Sequence, residues 1–280
     1  MIVDTHVHVI AADQQRYPLT PSGPRRWYAE AAVSVEQLLR LLDGAGVDRV
    51  ILAQPFSGYA YDNAYHADSA ARYADRCVGI CGVDPLAADA PDRLSYWIEE
   101  RGMQGLRLFA NQPADWLDDP QTYPLWERAR ALGIPICVLM REERLGKLRA
   151  TATRFPEVPV ALDHLAAWET AAGLPLAATQ ELLDLAELPN LYLKFSTANL
   201  APLDGPLGEQ GIDLFRRIVD RYGPRRLMWG SNFPVSQEGS YADMVAMGCR
   251  ALPFLTDDDR RWLLADTALT LWPRLKGSAP

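Results

Sequence analysis

The chain's chemical groups are most concentrated at its start, in Asp4-Thr5-His6-Val7-His8. On a strand, alternate side chains share a face, so two imidazoles two positions apart can bind one divalent cation. A carboxylate two positions earlier can orient one of them. Only 4 histidines occur in the chain, and two stand here, in an otherwise apolar strand. Asp4, His6 and His8 are therefore expected to point inward together, with Val3, Thr5 and Val7 on the opposite face. The third imidazole is His164, which closes the apolar stretch around Val160-Ala161-Leu162-Asp163. Three histidines with one open position form a catalytic zinc site of a known kind. His6, His8 and His164 are thus the expected metal ligands. His164 is the expected acid/base, with Asp4 in support. His66, inside Tyr65-His66-Ala67-Asp68, reads as a partly exposed helix residue.

Other polar groups interrupt apolar strands. Arg107, in Gly105-Leu106-Arg107-Leu108-Phe109, carries a planar fork that suits a substrate carboxylate, and a structural pair with a nearby acid fits it equally. Lys194 and Ser196 share that ambiguity. In Gly230-Ser231-Asn232-Phe233-Pro234, small residues let a ligand approach the backbone, and Ser231 and Asn232 can polarise a carbonyl. A strand-to-loop turn fits the same residues. Arg25-Arg26-Trp27-Tyr28 could cover the site as an aromatic, cationic lid, with Trp27 against substrate.

These residues need a scaffold that brings distant strands to one point. Eight short apolar runs alternate with amphipathic stretches: Ile2 to Val9, Arg49 to Gln54, Cys77 to Val83, Gln104 to Phe109, Ile134 to Met140, Val158 to Leu165, Leu191 to Ser196 and Arg226 to Trp229. Helices are expected between them. One runs from an N-cap at Ser34 to Gly46, others over about Pro91 to Arg101, Tyr123 to Leu132, Ile212 to Tyr222 and Asp258 to Leu271. Eight such repeats predict an α/β fold, a single-domain (β/α)8 TIM barrel over 1–275 with a short tail at 276–280. An open doubly wound sheet is disfavoured, because no Gly-x-Gly-x-x-Gly turn follows any strand. Two long loops, Ile10 to Ala32 and Thr197 to Gly211, would lie at the C-terminal face, where barrel enzymes keep their sites.

Composition narrows the partners. The net charge is -8 and the basic residues are scattered, which excludes a nucleic-acid or anionic-membrane surface. No apolar stretch approaches the ~18 residues of a membrane span. Ile2-Val3-Asp4 opens without the cationic start and apolar segment of a secretory leader. The four cysteines, Cys77, Cys81, Cys137 and Cys249, read as reduced packed thiols, so a cytoplasmic protein is expected.

Taken in order on the eightfold pattern, the motifs resemble the amidohydrolase superfamily. They are Asp4-Thr5-His6-Val7-His8, Tyr17-Pro18-Leu19, Gly46-Val47-Asp48-Arg49-Val50, Gly105-Leu106-Arg107, Leu162-Asp163-His164-Leu165, Lys194-Phe195-Ser196 and Trp229-Gly230-Ser231-Asn232-Phe233-Pro234. The resemblance is to the branch of 2-pyrone-4,6-dicarboxylate lactonase, sugar-lactone hydrolases and aminocarboxymuconate-semialdehyde decarboxylase. It implies metal at His6 and His8, and a metal ligand or acid/base at His164. It also implies a role for Asn232 where most members have a metal-binding, proton-moving aspartate. Two departures follow. Val138-Leu139-Met140 stands where metal-dependent members carry a histidine, and an amide at 232 brings no charge and no base. Any divalent metal, zinc by donor type, is expected to be weakly held, and metal-independent activity is compatible with the branch.

The expected activity is hydrolysis of a small carboxylated lactone or cyclic ester, with Arg107 on the carboxylate and Ser231, Asn232 or Lys194 on the carbonyl. The alternatives are a metal-dependent non-oxidative decarboxylase and a catalytically decayed binding protein. A homo-oligomer is left open. With an ordinary histidine base, activity should fall below about pH 6.5.

Overall fold

A computed structural model describes residues 1–22, 26–110, 116–167 and 176–277. The eight apolar runs form eight parallel strands: β1 Val3–Val7, β2 Arg49–Ala53, β3 Cys77–Gly82, β4 Leu106–Ala110, β5 Ile136–Met140, β6 Val160–Leu162, β7 Leu191–Ser196 and β8 Leu227–Gly230. They pair in sequence order. The ring closes where Asn232 N donates to His6 O at 2.8 Å and His8 N donates to Phe233 O at 2.9 Å. The result is the (β/α)8 barrel that alternating runs and helices require, since parallel neighbours need crossovers.

Inward residues form the barrel's apolar floor. Val3, Ile51, Ala53, Val78, Ile80, Cys137, Ala161 and Met228 pack together, with Trp272 and Leu275 of the C-terminal segment among them. The outward residues of the strands pack under the helices. Gly230 is required at the β8–β1 seam, because a Cβ there would lie 2.7 Å from His6 Cβ and 2.8 Å from His6 N.

One irregularity sets the site. Between Asp4 and Val7, β1 advances three residues while β2 advances two, from Val50 to Leu52. This is a bulge, which reverses the facing of everything beyond it. Val3 accordingly belongs to the inner cluster and Val7 to the outer one, which strict alternation forbids.

Several segments differ from their expected bounds. Thr197 to Gly211 is not a long loop. A helical turn begins at Thr197 because Asn199 Oδ1 accepts from Ser196 N at 2.8 Å, and the next helix starts at Gly208. Helical continuity over 90–100 and 257–271 is broken by π-turns at Tyr96–Glu100 and Trp262–Asp266. All four cysteines are unbridged, with Cys77, Cys81 and Cys137 buried. Among the described residues no helix is long and apolar enough to cross a membrane.

Candidate active site

His6 and His8 leave β1 just past the bulge and turn inward. Their ring centroids are 4.9 Å apart, and His6 lies 4.5 Å from His164. His164 directly follows the Asp163 turn at the end of β6. There the backbone runs left-handed over three residues, with φ of 54° at His164, 50° at Leu165 and 62° at Ala166. Such angles cost non-glycine residues about 1–2 kcal/mol each. Asn232, after β8, is also left-handed at φ 59°. Strain is thus stored where the chain leaves β6 and β8, at and beside His164 and Asn232. Asn199 secures the β6 turn by donating Nδ2 to His164 O at 3.3 Å.

The carboxylate beside these imidazoles is Asp163, not Asp4. Asp163 Oδ1 lies 3.5 Å from His6 Nδ1. Its Oδ2 accepts from Arg107 Nε at 3.0 Å, and Lys194 Nζ stands 3.5 Å from Oδ1. Burial alone would push Asp163 up, but Lys194, His6 and Arg107 overcome it and hold the group well below the ordinary carboxylate range. It is ionised at every working pH.

Asp4 is a correction to the sequence reading. The bulge leaves it on the outer side of β1. There its carboxylate accepts from Ser231 N at 2.9 Å, Tyr241 OH at 3.0 Å and His6 N at 3.1 Å. Burial, working against the bonds from Ser231, His6 and Tyr241, raises it to about 6. It fastens the seam. Ser231 belongs to the same fastening, fully buried, with Oγ accepting from Phe233 N at 3.0 Å. That hydroxyl is not presented to a substrate.

Asp163 joins the expected ligands His6, His8 and His164 as a further candidate donor. Among the described residues, the donor atoms lying within 4.8 Å of one another belong to His6, Asp163 and His164. His8 stays a candidate donor beside them: its Nδ1 hydrogen-bonds Ala53 O at 2.8 Å, the contact that orients a ligating imidazole. A carbonyl only accepts, so Nδ1 carries the proton and Nε2 the lone pair. Both ring nitrogens of His6 and Oδ1 of Asp163 are buried without a hydrogen-bond partner. Buried polar atoms are normally satisfied, so donors of the right type for a divalent ion stand open. Met140 is buried in the outer cluster and offers none.

Arg107 and Lys194 sit deeper than expected. Arg107 is 3% exposed and also donates Nη1 to Gln54 O at 2.9 Å. Lys194 is 1% exposed and its Nζ bonds Thr5 O at 3.2 Å and Cys137 Sγ at 3.3 Å. The structural pair with an acid, weighed for both, is present. Ser196 is buried too, its hydroxyl on Asn199 Oδ1 at 3.1 Å. Trp27 lies over His8 at 5.3 Å, with Nε1 donating to Ser57 Oγ at 2.8 Å. Of the expected lid, Arg25 falls outside the described residues and Arg26 turns to solvent. His66 is not partly exposed but fully buried.

Burial lowers His6 and His8 well below the ordinary imidazole value of 6.5. Arg107 adds to this in both, while Asp163 opposes it only at His6. The neutral ring is the form that accepts a proton or binds a metal. A lowered value therefore keeps the working form present as pH falls past 6.5. Turnover is expected to stay level from pH 8 to 6.5, with its acid limb below that. The ordinary-histidine expectation is revised accordingly. A kcat/KM profile from pH 5 to 8 tests this, and a half-maximal point at or above 6.5 refutes it. Asp4 titrates near this window, but it faces Tyr241 rather than the imidazoles.

Comparison with known proteins gives the family and the fold. The sequence profile of the amidohydrolase family matches residues 3–274. An L-fucono-1,5-lactonase from Burkholderia ambifaria is 29% identical over 216 residues, covering 75% of this chain and 73% of its own. A 4-sulfomuconolactone hydrolase from Rhizobium radiobacter is 28% identical over 245 residues, covering 83% and 75%. Among solved structures, a Pseudomonas putida protein described as a 2-pyrone-4,6-dicarboxylic acid hydrolase superimposes with a TM-score of 0.80 at 23% identity, covering 98% and 97%.

Proposed function

The chain belongs to the amidohydrolase family, and on that premise we propose that it hydrolyses a small carboxylated lactone at the C-terminal mouth of the barrel. One observation carries the reading. Two buried cations, Arg107 and Lys194, face a single buried carboxylate, Asp163, beside imidazoles kept neutral by burial. Among the described residues the cluster is one negative charge short. Buried charge is costly unless paired, and a substrate carboxylate would complete it. The lactone-hydrolysing relatives support the same substrate class.

In this scheme His6 takes a proton from the attacking water, and Asp163 steadies the imidazolium that forms. The water oxygen bonds the lactone carbonyl carbon, the bond from that carbon to the ring oxygen breaks, and the proton held by His6 is passed to the ring oxygen through the adjacent His164, so that both imidazoles end neutral. The product is a hydroxy acid. Asn232 cannot act as a base. One of its N–H groups is on Ser236 Oγ at 3.2 Å, and its backbone N holds His6 O, so we assign it to shaping the mouth. Trp27 forms the wall over His8. A divalent ion, zinc by donor type, would be held by His6, Asp163 and His164 and would supply Lewis-acid polarisation of the carbonyl. Arg107 and Lys194 on the same carboxylate make that hold weak. The unbridged cysteines support a reducing, cytoplasmic setting.

A panel of five- and six-membered lactones, with and without a carboxylate, tests the reading by acid release, with and without chelator. Carboxylated lactones are expected to react about tenfold or more faster than their neutral counterparts, as one retained charge-assisted contact requires. Carbon dioxide release from an aromatic acid would favour the decarboxylase. Lactone binding without turnover would favour the decayed barrel.

A further inference from the structure

His66 is the histidine that the hydrolytic scheme leaves unused. Its helix, Ala64–Arg72, begins at a point pinned to the barrel mouth. The Asn63 side chain donates to Gly82 O at 2.9 Å and accepts from Gly82 N at 2.8 Å, at the end of β3. One turn later His66 is fully buried, edge-on to Tyr59 at 6.2 Å and Tyr65 at 5.9 Å. Neither Nδ1 nor Nε2 has a hydrogen-bond partner. A leucine would fill a helix–sheet interface without the cost of leaving buried polar atoms unbonded.

A second unsatisfied atom stands at the same rim. Gln54 Oε1 is buried without a partner and lies 3.4 Å from where a Gly82 Cβ would be. Gln54 O takes Arg107 Nη1, and the neighbouring Ala53 O holds His8. Burial, with Arg107 adding to it, pushes His66 down to about 3. The ring is therefore neutral and offers one N–H and one lone pair. His66 stands against Tyr59, which packs in one cluster with Trp27, the ring over His8, so it lies on the side of the mouth that follows β2.

We propose that His66 is a specificity-determining residue whose neutral ring, together with Gln54 Oε1, hydrogen-bonds an uncharged hydroxyl of the substrate. A hydroxyl can donate its single O–H to Gln54 Oε1 while its oxygen accepts the N–H of the neutral imidazole. A carboxylate only accepts and would leave Gln54 Oε1 bare. The inference rests on the lactone-hydrolase reading for its reaction, and adds that the preferred lactone carries a ring hydroxyl besides its carboxylate.

The test compares a hydroxylated lactone carboxylate with its deoxy counterpart on wild type, His66→Leu and His66→Gln, with Tm measured on each. A site built for a hydroxyl discriminates strongly against its absence. Wild type is expected to prefer the hydroxylated lactone by about tenfold to a hundredfold in kcat/KM. His66→Leu should lose that preference while keeping its rate on the deoxy lactone, and its Tm should hold or rise because an unsatisfied polar group is gone. His66→Gln should restore part of the preference, which also guards against a leucine variant that does not fold. A lowered Tm with the preference intact in either variant overturns the proposal and makes His66 a packed core residue. If wild type hydrolyses neither lactone, the function reading fails by itself. The hydroxylated and deoxy hydroxy-acid products are then compared as ligands by Tm shift. A larger shift from the hydroxylated product that His66→Leu abolishes supports the inference, and equal shifts overturn it.

Discussion

Replacing Asp163 by Asn is expected to lower kcat/KM about a thousandfold and to destabilise the fold by about 3–5 kcal/mol. Both effects have one origin. Asp163 is the only carboxylate, among the described residues, paired with the buried Arg107 and Lys194, and it also faces His6 Nδ1 at 3.5 Å. The amide keeps the shape and removes the charge, so two cations are left in the interior uncompensated. Removing one partner of a buried ion pair costs far more than the pair contributes, because the survivor keeps its desolvation penalty. The two consequences separate in the double variant Asp163→Asn with Lys194→Met. Removing one stranded cation should recover much of the stability, read by urea denaturation. It should recover none of the turnover, because His6 still lacks the charge that stabilises its protonated form. If the double variant regains activity along with stability, Asp163 is a structural counter-ion only, and the proton-transfer scheme loses its support.

How legible this was in the sequence depends on which force fixed each feature. Strands buried on both faces read as continuous apolar runs, so all eight were recognisable, and Leu191 to Ser196 has the same bounds in the structure. The helix Val35–Ala45 was marked by its cap residues. Ser34 and Gln37 form a capping box, and Gly46 takes the left-handed φ of 71° that ends it. The run Val158 to Leu165 overstated β6, which stops at Leu162. Apolar residues beyond it continue the burial but not the strand, because the chain turns left-handed at His164. Periodicity reports burial, and a change of backbone hand within a buried stretch leaves no trace in it.

The site was legible as a set of residue types and less so as an arrangement. His6 and His164 do meet, since both end strands that lead to the same mouth. The role given to Asp4 followed from strict alternation, and a bulge in β1 defeats alternation without any glycine or proline to announce it. Asp163 did leave a signal, a carboxylate preceding a histidine at a strand end. Its role is not legible there, because its partners Arg107, Lys194 and His6 come from three other strands. His66 was misjudged for a related reason. The polar residues around it, Tyr65 and Asp68, suggested an exposed face, while the ring itself turns to the barrel side. In each case the deciding contact joins residues far apart in the chain, where a local pattern carries no information.

The two histidines of β1 should therefore not be equivalent, although they stand two positions apart and sequence reading gives them one role. His6→Gln is expected to cost about a thousandfold in kcat/KM. The amide side chain approximates the imidazole's reach but cannot take the water's proton, and Asp163 would then face no group whose positive charge it can stabilise. His8→Gln should cost about tenfold, within the range of one lost neutral hydrogen bond. His8 donates Nδ1–H to Ala53 O and, among the described residues, has no carboxylate beside it to stabilise a protonated ring, so it serves as a neutral ring under Trp27 rather than as the base. Steady-state kinetics on the carboxylated lactone, with Tm measured alongside, separates the pair. Equal losses at both positions would mean that they act jointly on one bound ion. In that case added zinc should raise the wild-type rate and leave both variants unchanged. If zinc leaves the wild type unchanged as well, the division of labour drawn from the bulge is wrong, and His8 reacts as directly as His6.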